Sequence, residues 1–146
     1  MPSSGAYDFL IRPFASSDAG SCISIFDRAW HFGHPHAPRG IDAAIFGTET
    51  KDEAIFVAEI AGAIAGFVSL YEPQGFVHHL FVDPPSHGRG IGTALLAHAV
   101  ALAGGRATLK CQSRNSQALA FYRRLGWIEV AAGNGEFGSW IAMRSP

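Results

Sequence analysis

Charge is scarce in this chain. Only 16% of its 146 residues are Asp, Glu, Lys or Arg, and 11 basic against 12 acidic side chains leave a net charge of −1. With no basic surplus to neutralise a phosphate backbone, nucleic acid is not an expected partner. Cysteine is scarcer still. Cys22 and Cys111 are too few for a disulfide framework or a four-cysteine zinc site, and fit free thiols in a reducing, cytoplasmic compartment. The opening Met1-Pro2-Ser3-Ser4-Gly5 has neither the basic nor the apolar region of a secretion signal. The one long apolar run, 54–70, is about 17 residues, the short limit for a membrane span. It carries Glu59, Gly62 and Gly66, and reads instead as two strands folded back at Ala61-Gly62, so no membrane partner is expected.

What is present is enough apolar material for a core: 48% of residues are hydrophobic. A chain of this length hides roughly two-thirds of its surface on folding and reads as one domain spanning 1–146. Phe9–Arg12 reads as a strand closed by Pro13. Asp18–Phe32 reads as a helix with Cys22, Ile25, Phe26 and Ala29 inward and Ser17 or Asp18 as its cap. A short helix is expected at Ile41–Phe46, then a hairpin of Ile55–Ile60 and Ile64–Tyr71, and a strand Phe76–Val82 stopped by Asp83-Pro84-Pro85. Ile91–Ala103 reads as a helix with Ile91, Leu95, His98 and Leu102 on its inner stripe, ended by Gly104-Gly105. Strand Ala107–Cys111, helix Ser116–Leu125 and strands Trp127–Ala132 and Trp140–Arg144 complete the order β-α-α-β-β-β-α-β-α-β-β. Helices on both faces of a central sheet are the layer solution for that order.

The segment Val82 to Thr93 carries the most chemistry. A strand ends, Gly88, Gly90 and Gly92 follow, and a helix begins. Glycine admits positive φ, so successive amides can converge, and a helix start adds unpaired N–H groups and about half a positive charge. Together they make a cradle for a diphosphate, with Arg89 as a cation at its rim. No Lys follows the glycines, which excludes a P-loop, and Gly90-Ile91-Gly92-Thr93-Ala94-Leu95 fails the dinucleotide fingerprint at its third glycine.

A second half-site follows. Asn115 ends a strand and starts a helix, where its amide can cap the helix or hold a ligand. Ala118, Phe121 and Leu125 share a face, and Tyr122 is one position off it. The two halves together resemble the GNAT superfamily, the acetyl-CoA-dependent N-acetyltransferases. The family's Arg/Gln-x-x-Gly-x-Gly/Ala motif reads His87-Gly88-Arg89-Gly90-Ile91-Gly92 here, with His87 in place of Arg or Gln. Its Asn-x-x-Ala-x-x-Phe/Leu-Tyr-x-x-x-Gly-Phe motif is met by Asn115, Ala118, Phe121, Tyr122, Gly126 and Trp127.

The resemblance implies an α/β fold with a mixed, mostly antiparallel sheet of six or seven strands and about four helices. It implies acetyl-CoA as co-substrate, and no metal. By the same likeness, backbone groups of Leu80, Phe81 and Val82 pair with the pantetheine arm. Amides of Gly88, Arg89, Gly90, Ile91, Gly92 and Thr93 hold the pyrophosphate, Asn115 touches the pantetheine, and Tyr122 stands near the sulfur as general acid. His78 and His79 are adjacent on a strand and expected on opposite faces. By the resemblance, a base on this strand shares parity with Leu80, which implies His78, with His79, Glu72 or relayed water as alternatives. Trp30, His31, Phe32 and His79 are the expected acceptor contacts. The cluster His31, His34, His36 lacks the companions of a closed zinc site. The expected partner is a small-molecule or protein amine. The last strands, around Trp127 and Trp140, offer an edge for a homodimer. The alternative function is a non-catalytic acyl-CoA-binding module on the same scaffold.

Overall fold

The computed structural model describes residues 8–146. Its elements are β1 (Leu10–Pro13), α1 (Ala19–Gly33), α2 (Ala43–Glu49), β2 (Ala54–Ile60), β3 (Ala63–Tyr71), β4 (Phe76–Val82), α3 (Ile91–Leu102), β5 (Thr108–Gln112), α4 (Ser116–Arg124), β6 (Ile128–Gly135) and β7 (Gly138–Arg144). The strands form one seven-stranded sheet in the order β1-β2-β3-β4-β5-β7-β6. Every pairing is antiparallel except β4 with β5. The apolar run at 54–70 is the β2–β3 hairpin.

Strand alternation sends side chains to two cores. Phe67 and Val57 face α1 and α2, where they meet Cys22, Ile25, Phe26 and Phe46. Val68 and Leu70 face the other layer, with Ile91, Leu95, Leu96 and Ala99 of α3 and Leu119 of α4. Each fully buried aliphatic or aromatic side chain contributes about 1.5–3 kcal/mol, so both layers are anchored by the central hairpin.

Local details depart from the sequence expectations in three places. Asp18 does not cap α1 with its side chain. Its carboxylate instead accepts from both terminal nitrogens of Arg12 and from Ala15 N, because a guanidinium two-pronged on a carboxylate outcompetes a single capping bond. The buried stripe of α3 is Ile91, Leu95, Leu96 and Ala99, while His98 is exposed and Leu102 is 40% exposed. Every position of that helix is apolar or small apart from Thr93 and His98, so sequence alone gave its orientation little contrast. In α4 the fully buried pair is Leu119 and Tyr122, with Ala118, Phe121 and Leu125 packed at the margin.

Two features open the sheet. The parallel β4–β5 ladder holds only two residue pairs, Phe76 with Thr108 and Val77 with Leu109, and the strands then part. On its other side β4 pairs His79 with Ser69 and Val77 with Leu70, which leaves His78 as the extra residue of a β-bulge. Bulges bend a strand and re-aim its side chains. Here the bend falls where β4 leaves β5.

Candidate active site

The gap between β4 and β5 is a cleft of about 890 Å³. Its floor is β4 and β5, and its walls are the end of α1, the start of α3 and α4. At one end lies the glycine loop. A short 3-10 turn, Pro84–Ser86, drops the chain into His87, and Gly88 and Gly90 follow at φ of +83° and +81°. Gly90 is the left-handed cap of α3. Among the described residues, the amides of 88–93 donate to no protein acceptor, so they stand available as a group. Gly92 is closely packed without being sterically required: a Cβ there would meet Phe121 at 3.4 Å and Val82 at 3.6 Å, ordinary van der Waals contact.

His87 turns inward, and its Nε2–H donates to the carbonyl of Val82 at 3.0 Å. Phe32 stands edge-on to His87 at 5.3 Å, near the glycine-loop end of the cleft that it lines together with Trp30. Arg89 and His31, both expected at the site, are not part of its lining. Arg89 lies 3.9 Å from Asp8, and the ring of His31 donates back to the Asp27 carbonyl on the exposed side of α1. The remaining expected residues, Leu80, Phe81, Val82, Ile91, Thr93, Asn115, Tyr122, His78, His79 and Trp30, all line the cleft. Asn115 caps α4 by accepting from Ala118 N at 3.2 Å. Its amide nitrogen faces Gly33, where a Cβ would come within 2.7 Å; the bare glycine lets α1 end against α4.

At the other end the bulge changes the expected geometry. His78 and His79 do not project to opposite faces: their rings lie 3.9 Å apart. The bulged residue breaks the twofold alternation on which the expectation rested. His79 is the buried one. Its Nε2 donates to Glu49 at 3.0 Å, and its Nδ1 pairs with Ser69 Oγ at 2.8 Å. Burial works against its charge, but Glu49 and Glu53 outweigh it and raise the imidazole above its ordinary range. Both ring nitrogens of His79 are engaged, Nε2 by Glu49 and Nδ1 by Ser69, and neither is free. His78 is exposed and its Nδ1 lies 2.6 Å from Glu53 Oε2. A carboxylate can only accept, so the proton sits on Nδ1 and Nε2 is the ring's acceptor.

Glu49, Glu53, Arg39 and Phe137 carried no signal in the sequence, because none belongs to a motif and each reaches the site through tertiary folding. Arg39 pairs with Glu49 and lies over Trp30 at 5.0 Å and Phe137 at 4.6 Å. That contact ties the α1–α2 loop to the β6–β7 turn across the cleft mouth. Burial opposes ionisation of both glutamates, yet their histidine partners, with Arg39 for Glu49, hold each down to about 2. His31, His34 and His36 do not gather into a possible metal site. Among the described residues the group that does is Glu49, His78 and His79, with one ligand atom of each within 4.8 Å of the others; Glu49 is paired with Arg39 and His79, and His78 Nδ1 with Glu53, while His78 Nε2 is unengaged.

Tyr122 lies between the two ends. Burial pushes its phenol above the ordinary range, and its hydroxyl makes no hydrogen bond among the described residues. Cys111 lies on the neighbouring strand, its thiol pushed up to about 12 by burial, which suits packing and not nucleophilic attack.

A strand opened beside a glycine-capped helix start fits the comparisons with known proteins. The model of the acetyltransferase (GNAT) family matches residues 20–127. The chain belongs to that family. An uncharacterised N-acetyltransferase of Methanocaldococcus jannaschii is 33% identical over 105 residues, covering 63% of this chain and 45% of its own length. The chain thus spans less than half of that relative. Among solved structures, a GCN5-related N-acetyltransferase from Rhodopseudomonas palustris superimposes with a TM-score of 0.78 at 23% identity, covering 93% of this chain and 94% of its own. The yncA protein of Salmonella typhimurium, solved with its cofactor acetyl-CoA, superimposes with a TM-score of 0.74 at 18% identity over 94% and 92% of the two chains.

Proposed function

We propose that this chain transfers acetyl from acetyl-CoA to a primary amine by direct attack, with no covalent enzyme intermediate. The observation that carries the reading is the set of unengaged amides at 88–93, opening onto a cleft whose far end holds an imidazole with a free nitrogen. The donor set fits a diphosphate: converging N–H groups, two left-handed glycines and a helix start. The parted edge of β4 at Leu80–Val82 offers main-chain groups to an extended amide arm, and Asn115 a side-chain amide. Acetyl-CoA supplies the activated acyl group as a thioester.

The chain's own residues then handle protons. An alkyl amine of pKa about 10.4 is neutral in about one part in 10³ at pH 7, a deficit of roughly 4–5 kcal/mol. His78 Nε2 takes the amine proton, and His79, both of whose ring nitrogens are engaged, does not compete for it. Attack places charge on the thioester oxygen, for which the β4 backbone near the bulge supplies N–H groups. The departing thiolate has a pKa of about 8.5 as a cysteine analogue. Tyr122, its phenol raised by burial, is a poorer acid than that thiol, so its role narrows from outright proton transfer to a hydrogen bond donated to the leaving sulfur. Trp30, Arg39 and Phe137 frame the mouth through which the amine enters.

Free-thiol release from acetyl-CoA across amino acids, polyamines, aminoglycosides, lysine peptides and free-amino-terminal peptides tests the reading. Turnover on one of these classes supports it. Tight acetyl-CoA binding with no turnover on any of them favours the non-catalytic module.

A further inference from the structure

Beside the proposed base sits a carboxylate that no motif predicts. Glu53 lies in the turn between α2 and β2, next to Asp52, whose φ of +64° is left-handed and strained for a residue with a Cβ. Its side chain is only 7% exposed. One oxygen accepts from His78 Nδ1 at 2.6 Å. Among the described residues the other has no hydrogen-bond partner, and it lies 3.8 Å from His79 Nδ1. Burying a carboxylate with an unsatisfied oxygen costs several kcal/mol, which an apolar residue at this position would avoid. A packing role alone does not account for it.

We propose that Glu53 is the positioning residue of the active site: by holding the Nδ1 proton of His78 it leaves Nε2 as the sole acceptor for the amine's proton. The inference rests on the acetyltransferase reading only for what His78 does, not for how Glu53 holds it. The groups facing the pair are Glu49, Ser69 and Glu53, the last of which lies against both rings. Glu49 of α2, with Arg39, serves His79, and Ser69 of β3 fills the other side of that ring. Among the described residues only Glu53 bonds to the ring of His78. As His78 gains the amine's proton, the imidazolium forms against a carboxylate already in place, while the His79 ring faces Glu49 and the other oxygen of Glu53. The amine N–H bond breaks, the proton passes to Nε2, and Glu53 itself takes up no proton.

The test is nitrogen-15 NMR of the histidine rings in the full chain, with the His78 signals assigned by loss in His78→Asn, alongside steady-state kinetics. In the parent the neutral His78 ring carries its proton on Nδ1. Glu53→Ala moves that proton toward Nε2 and lowers kcat about 10²-fold, with KM for acetyl-CoA unchanged. Glu53→Gln keeps an oxygen able to accept from Nδ1, retains the tautomer and recovers at least tenfold of the loss. If Glu53→Ala fails to fold, Glu53→Asp, one methylene too short to reach, replaces it with the same expected shift. A folded Glu53→Ala or Glu53→Asp with the parent's tautomer and kcat overturns the proposal. If the parent turns over no amine, the functional reading fails by itself, and the tautomer measurement still decides the role of Glu53.

Discussion

Replacing Gly90 with Ala isolates what the glycine loop contributes. A Cβ at Gly90 meets no atom within 4 Å, and the same holds at Gly88, so neither substitution introduces a clash. What each introduces is backbone strain, because φ is +81° at Gly90 and +83° at Gly88. A left-handed residue with a Cβ costs about 1–2 kcal/mol. If the fold holds the loop in shape, Gly90→Ala loses that much stability. If the loop relaxes, the amides at 88–93 rotate away from their common target, and acetyl-CoA affinity falls by up to about 5–30-fold, since each 1.4 kcal/mol is tenfold. The double variant Gly88→Ala/Gly90→Ala stores about 2–4 kcal/mol. Isothermal titration with acetyl-CoA and thermal melting read both outcomes. Gly47→Ala is the control: that glycine lies inside α2 with open space and no positive φ, so Ala there adds about 0.4–1 kcal/mol of stability and leaves affinity unchanged. A double variant that binds acetyl-CoA as tightly as the parent would refute the idea that these amides hold the diphosphate.

His78→Ala is expected to lower kcat/KM for the amine by about 10²–10⁴-fold and to abolish the acidic limb of its pH profile; an unchanged limb removes His78 as base. Tyr122→Phe is expected to lower kcat about tenfold or more while the melting temperature stays near the parent's, because the hydroxyl bonds to no described protein group. Burial raises that phenol, so no basic limb below about pH 10 should trace to it, and a limb that vanishes in Tyr122→Phe would contradict the assignment. The hydrogen bond from Arg12 holds the Asp18 carboxyl below its ordinary range, so this contribution to stability is fully present above about pH 4 and is lost as pH falls through the lowered value. Asp18→Asn should therefore destabilise the chain at pH 7 and flatten its acid-side loss, measured by urea unfolding from pH 7 to pH 3.

The parts of the fold and site that a sequence can show are those encoded within a few neighbouring residues. The glycine loop is one: positive φ at 88 and 90 and a helix start at 91 are local demands, and glycine meets them where it stands. The Asn115 cap is another, with donor and acceptor three residues apart. The hairpin and the strand ending at Asp83-Pro84-Pro85 follow from alternation and from proline. Partners distant in the chain leave no such trace. Glu53 reaches His78 across 25 residues, Glu49 reaches His79 across 30, and Arg39 meets Phe137 only because two loops converge.

The bulge in β4 shows why the base assignment needed three dimensions. Strand parity assigns His78 and His79 to opposite faces only if the ladder is unbroken. Here Leu70 pairs with Val77 and Ser69 with His79, so one position on β3 is matched by a step of two on β4. That single extra residue brings the rings within 3.9 Å and ends the run shared with β5. The same distortion therefore opens the cleft and places two imidazoles at its end. Burial then makes them unlike: His79, closed in by Ser69 and Glu49, has both nitrogens engaged, while His78 keeps one nitrogen free. Parity selected His78 over His79; the role proposed for His78 rests on different grounds, namely which ring retains an unengaged nitrogen.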